Sequence, residues 1–70
     1  MYNLELLPKR LKEARKKKNI SQTQLAKKTH IQQHNIACYE TGRNKPSVIN
    51  LAALAYALDV TADYLLGYES

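Results

Sequence analysis

Three side chains able to ligate a metal, or to act as nucleophile and base, recur at every fourth position: His30, His34 and Cys38. On one unbroken helix that spacing would align them along a single face. The chain does not read as unbroken there, because the Thr29-His30-Ile31 stretch ends one helical pattern and Gln33 begins another. One Cys and two His are also fewer than the four ligands of a structural zinc site. A His34–Cys38 nucleophile pair lacks both a third orienting group and a pocket. No metal, cofactor or catalytic activity is expected, and Cys38 is expected to be a reduced thiol that does no redox work.

The same segment supports a different chemistry. Counting about 100° per residue from Gln33, His34, Ala37, Cys38 and Thr41 fall between about 40° and 140°, while Tyr39 and Ile36 fall at about 240° and 300°. One face is therefore apolar, and the other is small, polar and free of Lys, Arg, Asp and Glu. An ordinary solvated helix face carries charge. Gln and His can instead hydrogen-bond the edges of bases, and small neighbours allow close approach.

Charge distribution names the partner class. The 70 residues carry 11 Lys and Arg against 6 Asp and Glu, a formal net charge of +5. All 11 cations lie in residues 1–45 beside Glu5, Glu13 and Glu40, whereas residues 46–70 hold only Asp59, Asp63 and Glu69. A basic part and a weakly acidic, apolar part suit a polyanion on one side and a core or a second chain on the other. No apolar run approaches the roughly 18 residues of a membrane span, and no secretory signal opens the chain, so no membrane partner and a cytoplasmic location are expected. Nothing points to a small-molecule substrate.

The elements that must position these residues are helical. Two Gly and two Pro in 70 residues, with no period-two apolar runs, predict an all-α chain forming one domain over residues 1–70. Leu7, Leu11, Ala14 and Lys18 mark a first helix from about Leu6 to about Lys18, with Pro8 in its first turn. Ser21-Gln22-Thr23-Gln24 reads as a capping box that starts a second helix buried through Leu25 and Ala26. A third runs from Gln33 to about Thr41, stopped by Gly42. Ser47 caps a fourth whose stripe of Val48, Leu51, Ala52, Leu54, Ala55 and Leu58 predicts the most buried element. Thr61 caps a last short helix, Ala62 to Leu66, ended by Gly67. The second and third helices, with three residues between them, form a helix-turn-helix pattern.

Over residues from about 10 to 67 the sequence resembles the phage repressor and Cro-type helix-turn-helix family. The likeness lies in the ordered set R-L-K-E-A-R, S-Q-T-Q-L-A, I-x-x-x-x-I-x-x-Y-E-T-G, K-P-S and L-A-x-A-L-D-V-T-A-D-Y-L-L-G. It implies a compact five-helix, lambda-repressor-like domain that binds double-stranded operator DNA as a homodimer and regulates transcription. By position it implies that Gln32, Gln33, His34, Ala37 and Cys38 read bases from the third helix. Gln22 would meet a phosphate and brace Gln33, Asn35, Arg43, Asn44 and Lys45 would follow the DNA backbone, and Arg15 would pair with Glu40. The sequence departs from the family at His30, where Gly is usual and a left-handed backbone is strained for His, and at Gln32, a poor N-cap.

Two further expectations concern partners. The C-terminal part, without cations, is expected to carry a dimer contact; Tyr56, Tyr64 and Tyr68 read first as core or rim residues, and second, for Tyr64 with Leu65 and Leu66, as a dimer seam. The alternative function is an antitoxin-like or protein-interaction module in which DNA binding is secondary.

Overall fold

The computed structural model of the protein describes residues 1–69. A short 3-10 turn, Leu4–Leu6, precedes five α-helices: α1 (Leu7–Lys17), α2 (Gln22–Thr29), α3 (Gln33–Thr41), α4 (Val48–Leu58) and α5 (Ala62–Leu65). Among the described residues there is no strand, only an isolated antiparallel bridge between Tyr2 and Tyr68. Among the described residues no helix is long and apolar enough to cross a membrane.

Local chemistry sets each boundary. Ser21 Oγ accepts the Gln24 N–H at 3.0 Å while Gln24 Oε1 accepts the Ser21 N–H at 2.7 Å, so two otherwise unpaired donors at the start of α2 are satisfied reciprocally. The hydroxyls of Ser47 and Thr61 accept from the N–H groups of Asn50 and Tyr64, starting α4 and α5. Gln32 precedes α3 without a side-chain cap. At the other ends the chain turns left-handed: Asn19, His30, Gly42 and Asp59 have φ of 61°, 60°, 81° and 57°. Asn, Asp and His are the non-glycine residues that tolerate this region best.

Leu11, Leu25, Ile36, Leu54, Leu58 and Leu65 are fully buried, joined by Leu7, Ala14, Ile31, Tyr39 and Ala55 in one core to which all five helices contribute. An eight-residue α2 and a four-residue α5 cannot persist as isolated helices, so packing on this core holds them. The two ends of the chain are clasped together. The Asn3 N–H donates to the Gly67 carbonyl at 2.9 Å and the Glu69 N–H to the Met1 carbonyl at 2.7 Å. Gly67, at φ +82°, admits no side chain, because a Cβ there would lie 1.8 Å from the Asn3 carbonyl oxygen. Arg10 completes the clasp from α1, donating to the carbonyls of Tyr64 and Tyr68 with its guanidinium 4.8 Å from the Tyr64 ring centre.

Three expectations need correction. Helix α4 is not the most buried element: Leu54, Ala55 and Leu58 face the core, but Val48 is 84% exposed, and Ile49 and Tyr56 lie outside with it. Asn50 is the only polar residue of α4, so the pattern of apolar positions could not say which side turns inward. Leu65 is fully buried and cannot line a dimer seam; Tyr64 sits at the rim under Arg10. Finally, α5 stops at Leu65, with Leu66 as its C-cap.

The turn between α2 and α3 is held from outside His30. Thr29 Oγ1 donates to the Leu25 carbonyl at 2.9 Å and accepts the Ile31 N–H at 3.3 Å, and Ile31 is buried. The left-handed backbone of His30 is therefore imposed on a residue that resists it by about 1–2 kcal/mol. Replacing His30 with Gly should stabilise the fold by up to about 1 kcal/mol, net of glycine's entropic cost, whereas His30→Val should destabilise it. Thermal melts of the two variants check the order.

Candidate nucleic-acid interface

The start of α3 is aimed by a chain of polar contacts that begins inside the protein. Arg15, on α1, donates through Nε to Glu40 Oε2 at 2.7 Å and through Nη2 to Glu40 Oε1 at 3.0 Å, and its Nη1 donates to the Ile20 carbonyl at 2.9 Å. Both side chains are nearly out of water, 11% exposed for Arg15 and 2% for Glu40. The hydrogen bonds to Glu40 raise the Arg15 pKa above its ordinary value, against the opposing effect of burial. Glu40 Oε1 accepts a further bond, at 3.1 Å, from Nε2 of Gln22 in the first turn of α2. Gln22 Oε1 then accepts from Gln33 Nε2 at 2.6 Å.

The polarity of this chain follows from its buried end. A carboxylate only accepts, so Gln22 must turn its amide nitrogen toward Glu40 and its oxygen toward Gln33. Gln33 in turn must donate. That leaves Gln33, which is exposed, with Oε1 and one N–H unused among the described residues, and leaves Gln22 with one N–H. A single buried charge thus decides which atoms an exposed residue shows.

The other residues singled out by the sequence lie at the start of α2, along α3 and in the loop after Gly42, at the end of α3 remote from Gln33. Gln32, His34, Arg43, Asn44 and Lys45 are exposed, while Gln22, Asn35 and Ala37 are half-buried. Cys38 departs from expectation: it is buried, only 5% exposed. His34 Nε2 lies 3.7 Å from its sulfur, and the chain beyond Gly42 folds back so that the Arg43 and Asn44 N–H groups both donate to the Cys38 carbonyl. A helical wheel of α3 cannot register what returns past the end of the helix. Among the described residues no three His, Cys, Asp or Glu side chains gather as metal ligands.

Two cations that the sequence reading did not single out also face this region. A groove of about 650 Å³ runs between the start of α1 and the loop after α3, with Lys9 and Lys12 on one wall and Asn44 and Lys45 on the other. The available signal was the three-residue spacing of Lys9 and Lys12, which puts them on one side of α1. Glu40 also borders the groove but is occupied by Arg15 and Gln22.

If the Arg15–Glu40 pair organises this region, Glu40→Ala should strand a buried guanidinium, free Gln22, and cost about 3–5 kcal/mol. In a chain of this size the melting midpoint should then fall by about 12 °C or more. A loss of only a degree or two in a calorimetric melt would show the pair to be incidental.

Against known proteins, a family model described as helix-turn-helix matches residues 11–65, and the chain belongs to that family. It is 41% identical over 63 residues to the HTH-type transcriptional regulator ImmR of Bacillus subtilis (strain 168), a match covering 90% of this chain and 50% of ImmR. It is 47% identical over 60 residues to the HTH-type transcriptional regulator AnsR of the same organism, covering 86% and 52% respectively. The chain thus spans about half the length of the curated relatives it matches. Among solved structures, the P22 c2 repressor protein in complex with synthetic operator 9T superposes with a TM-score of 0.83 at 35% identity, covering 86% of this chain and 91% of that one.

Proposed function

We propose that the chain is a sequence-specific double-stranded DNA-binding regulator of transcription, acting as a repressor on a palindromic operator to which two copies bind. The observation that carries this reading is the orientation of Gln33. One N–H and Oε1 of its amide remain unused after it bonds to Gln22, and that pair matches adenine, which offers N7 as acceptor and N6–H as donor in the major groove. The names of the relatives, transcriptional regulators and a repressor bound to an operator, agree with it.

Gln32, His34 and Ala37 complete the base-reading surface, with A·T-containing half-sites favoured because no Arg of α3 is available for guanine. Cys38 supports the His34 ring from behind and does not touch a base. Arg43, Asn44 and Lys45 hold the phosphate backbone together with Asn35 and the remaining N–H of Gln22, and Lys9 and Lys12 extend that cationic border across the groove. Two copies on one face of the duplex would read half-sites about 34 Å apart. No cofactor or catalytic step is assigned, and the place of action is the cytoplasm, where the DNA is.

Reading and holding give opposite signatures. Gln33→Ala should cost about 1–3 kcal/mol on the preferred duplex and relax preference at one position per half-site, with little change in salt dependence. Lys45→Ala or Arg43→Ala should weaken all duplexes alike and lower the slope of log K against log salt by about 0.9 for each lost phosphate contact. Duplexes selected from a random library, followed by titrations at several salt concentrations, measure both. If Gln33→Ala leaves preference unchanged, the docking of α3 is wrong; stoichiometric capture of a protein partner at high salt, without salt-sensitive duplex binding, would favour a protein-interaction module.

A further inference from the structure

Two hollows meet beside the start of α1. The groove that runs from there to the loop after α3 is lined by Leu4, Leu7 and Pro8 as well as by Lys9, Lys12 and Lys45. A second hollow, of about 260 Å³, is lined by Pro46, Val48, Leu51 and Leu66, and shares Leu4, Leu7 and Lys45 with the first. The two therefore form one trough, cationic toward α1 and apolar toward α4. Leu4 and Val48 are exposed, and Leu51 and Leu66 are half-buried. Among the described residues none of the three lysines is paired with a carboxylate. Glu5 also borders the groove, and Glu40 is matched by Arg15, so three Lys stand against one free carboxylate.

We propose that this trough is a docking site for a segment of another protein in which Asp and Glu flank large apolar side chains, and that the docked segment competes with DNA. The docking rests on the trough alone, and only the competition rests on the reading above. Chemistry selects the occupant. The phosphates of a duplex would satisfy the lysines but bring nothing apolar to the hollow among Pro46, Leu51 and Leu66. A small amphiphile is held by a cavity that encloses most of its surface, whereas both of these hollows are open along one side. A peptide segment needs only one side covered. Its carboxylates meet Lys9, Lys12 and Lys45 while its apolar side chains enter the second hollow, and the charge complementarity steers approach and rejects basic partners.

Position then dictates the consequence. Lys45 borders both hollows and Asn44 the first, and the same two residues are assigned above to the phosphate backbone. Segment and duplex cannot hold them together. A segment present at about ten times its own Kd should therefore weaken duplex binding about tenfold, by mass action alone.

The probes are the blocked peptide Asp-Glu-Leu-Glu-Asp-Leu-Glu-Asp, the same peptide with Ala in place of both Leu, and decanoate, each titrated into the chain while backbone amide NMR signals are followed. The Leu peptide should shift Leu4 to Lys12 and Asn44 to Leu51 and bind about tenfold tighter than the Ala peptide, which carries equal charge. Leu4→Ser and Val48→Ser alter exposed side chains outside the base and phosphate surface. Each should melt like wild type, bind a single half-site duplex unchanged, and lose most of the Leu peptide's advantage; two variants guard against one misfolding. Equal binding of the two peptides, shifts centred elsewhere, or an advantage kept in both variants overturns the docking, and decanoate binding tighter than the Leu peptide assigns the trough to a small amphiphile instead. The peptide titrations contain no DNA, so they stand even if no duplex binds. Adding the Leu peptide to the chain on its half-site duplex then tests the competition: release of the duplex supports it, and a complex holding both overturns it.

Discussion

The bidentate ion pair between Arg15 and Glu40 is the contact on which the geometry of this molecule depends. It joins α1 to α3, and through the Ile20 carbonyl and Gln22 it also fixes the entry to α2. Its net contribution to stability is small, because taking two charges out of water offsets most of their attraction. Its consequence is directional. With a carboxylate at the buried end, every amide along the chain to Gln33 has one permitted orientation, and the residue at the surface shows a donor and an acceptor in a set order. An apolar pair at positions 15 and 40 could hold the helices together but could not order those amides.

Around that contact the fold divides its tasks by charge. All 11 cations lie before Pro46, although Arg10 is committed to the C-terminal clasp, Arg15 to Glu40 and Lys18 to Asp59, while α4 and α5 contribute the apolar remainder. The short helices draw little stability from themselves. They are kept in place by caps, by left-handed stops and by the clasp of Asn3 on Gly67, reinforced by Arg10. The strain at His30 is tolerated for the same reason: Thr29 and the buried Ile31 fix the turn from both sides.

Most helix limits are legible in the residues because their signals are local. Ser21 with Gln24, Ser47, Thr61 and Gly42 act within a few positions of themselves, and each sits where the chain starts or stops a helix. The Arg15–Glu40 pair spans 25 positions, and only resemblance to a known family put those two side chains together. What escaped depended on non-local packing. With Asn50 its only polar residue, α4 has no polar side to mark which way it faces, so Val48 and Ala52 read as part of the buried stripe and Tyr56 as core or rim, though all three are exposed. Cys38 was assigned to an open face by its phase on α3, yet His34 and the returning chain cover it. The bridge from Tyr2 to Tyr68 joins opposite ends of the sequence and has no local signature.

The central claim, that the α2–α3 unit is the face presented to DNA, is tested most directly by following backbone amide NMR signals while a duplex bearing a single half-site is added. Shifts should concentrate at Gln22, at Gln32 to Asn35 and at Arg43 to Lys45, with smaller changes at Lys9 and Lys12 and none on the Tyr2–Tyr68 clasp. Shifts centred on the clasp or on α5, with Gln32 to Asn35 unmoved, would contradict the account.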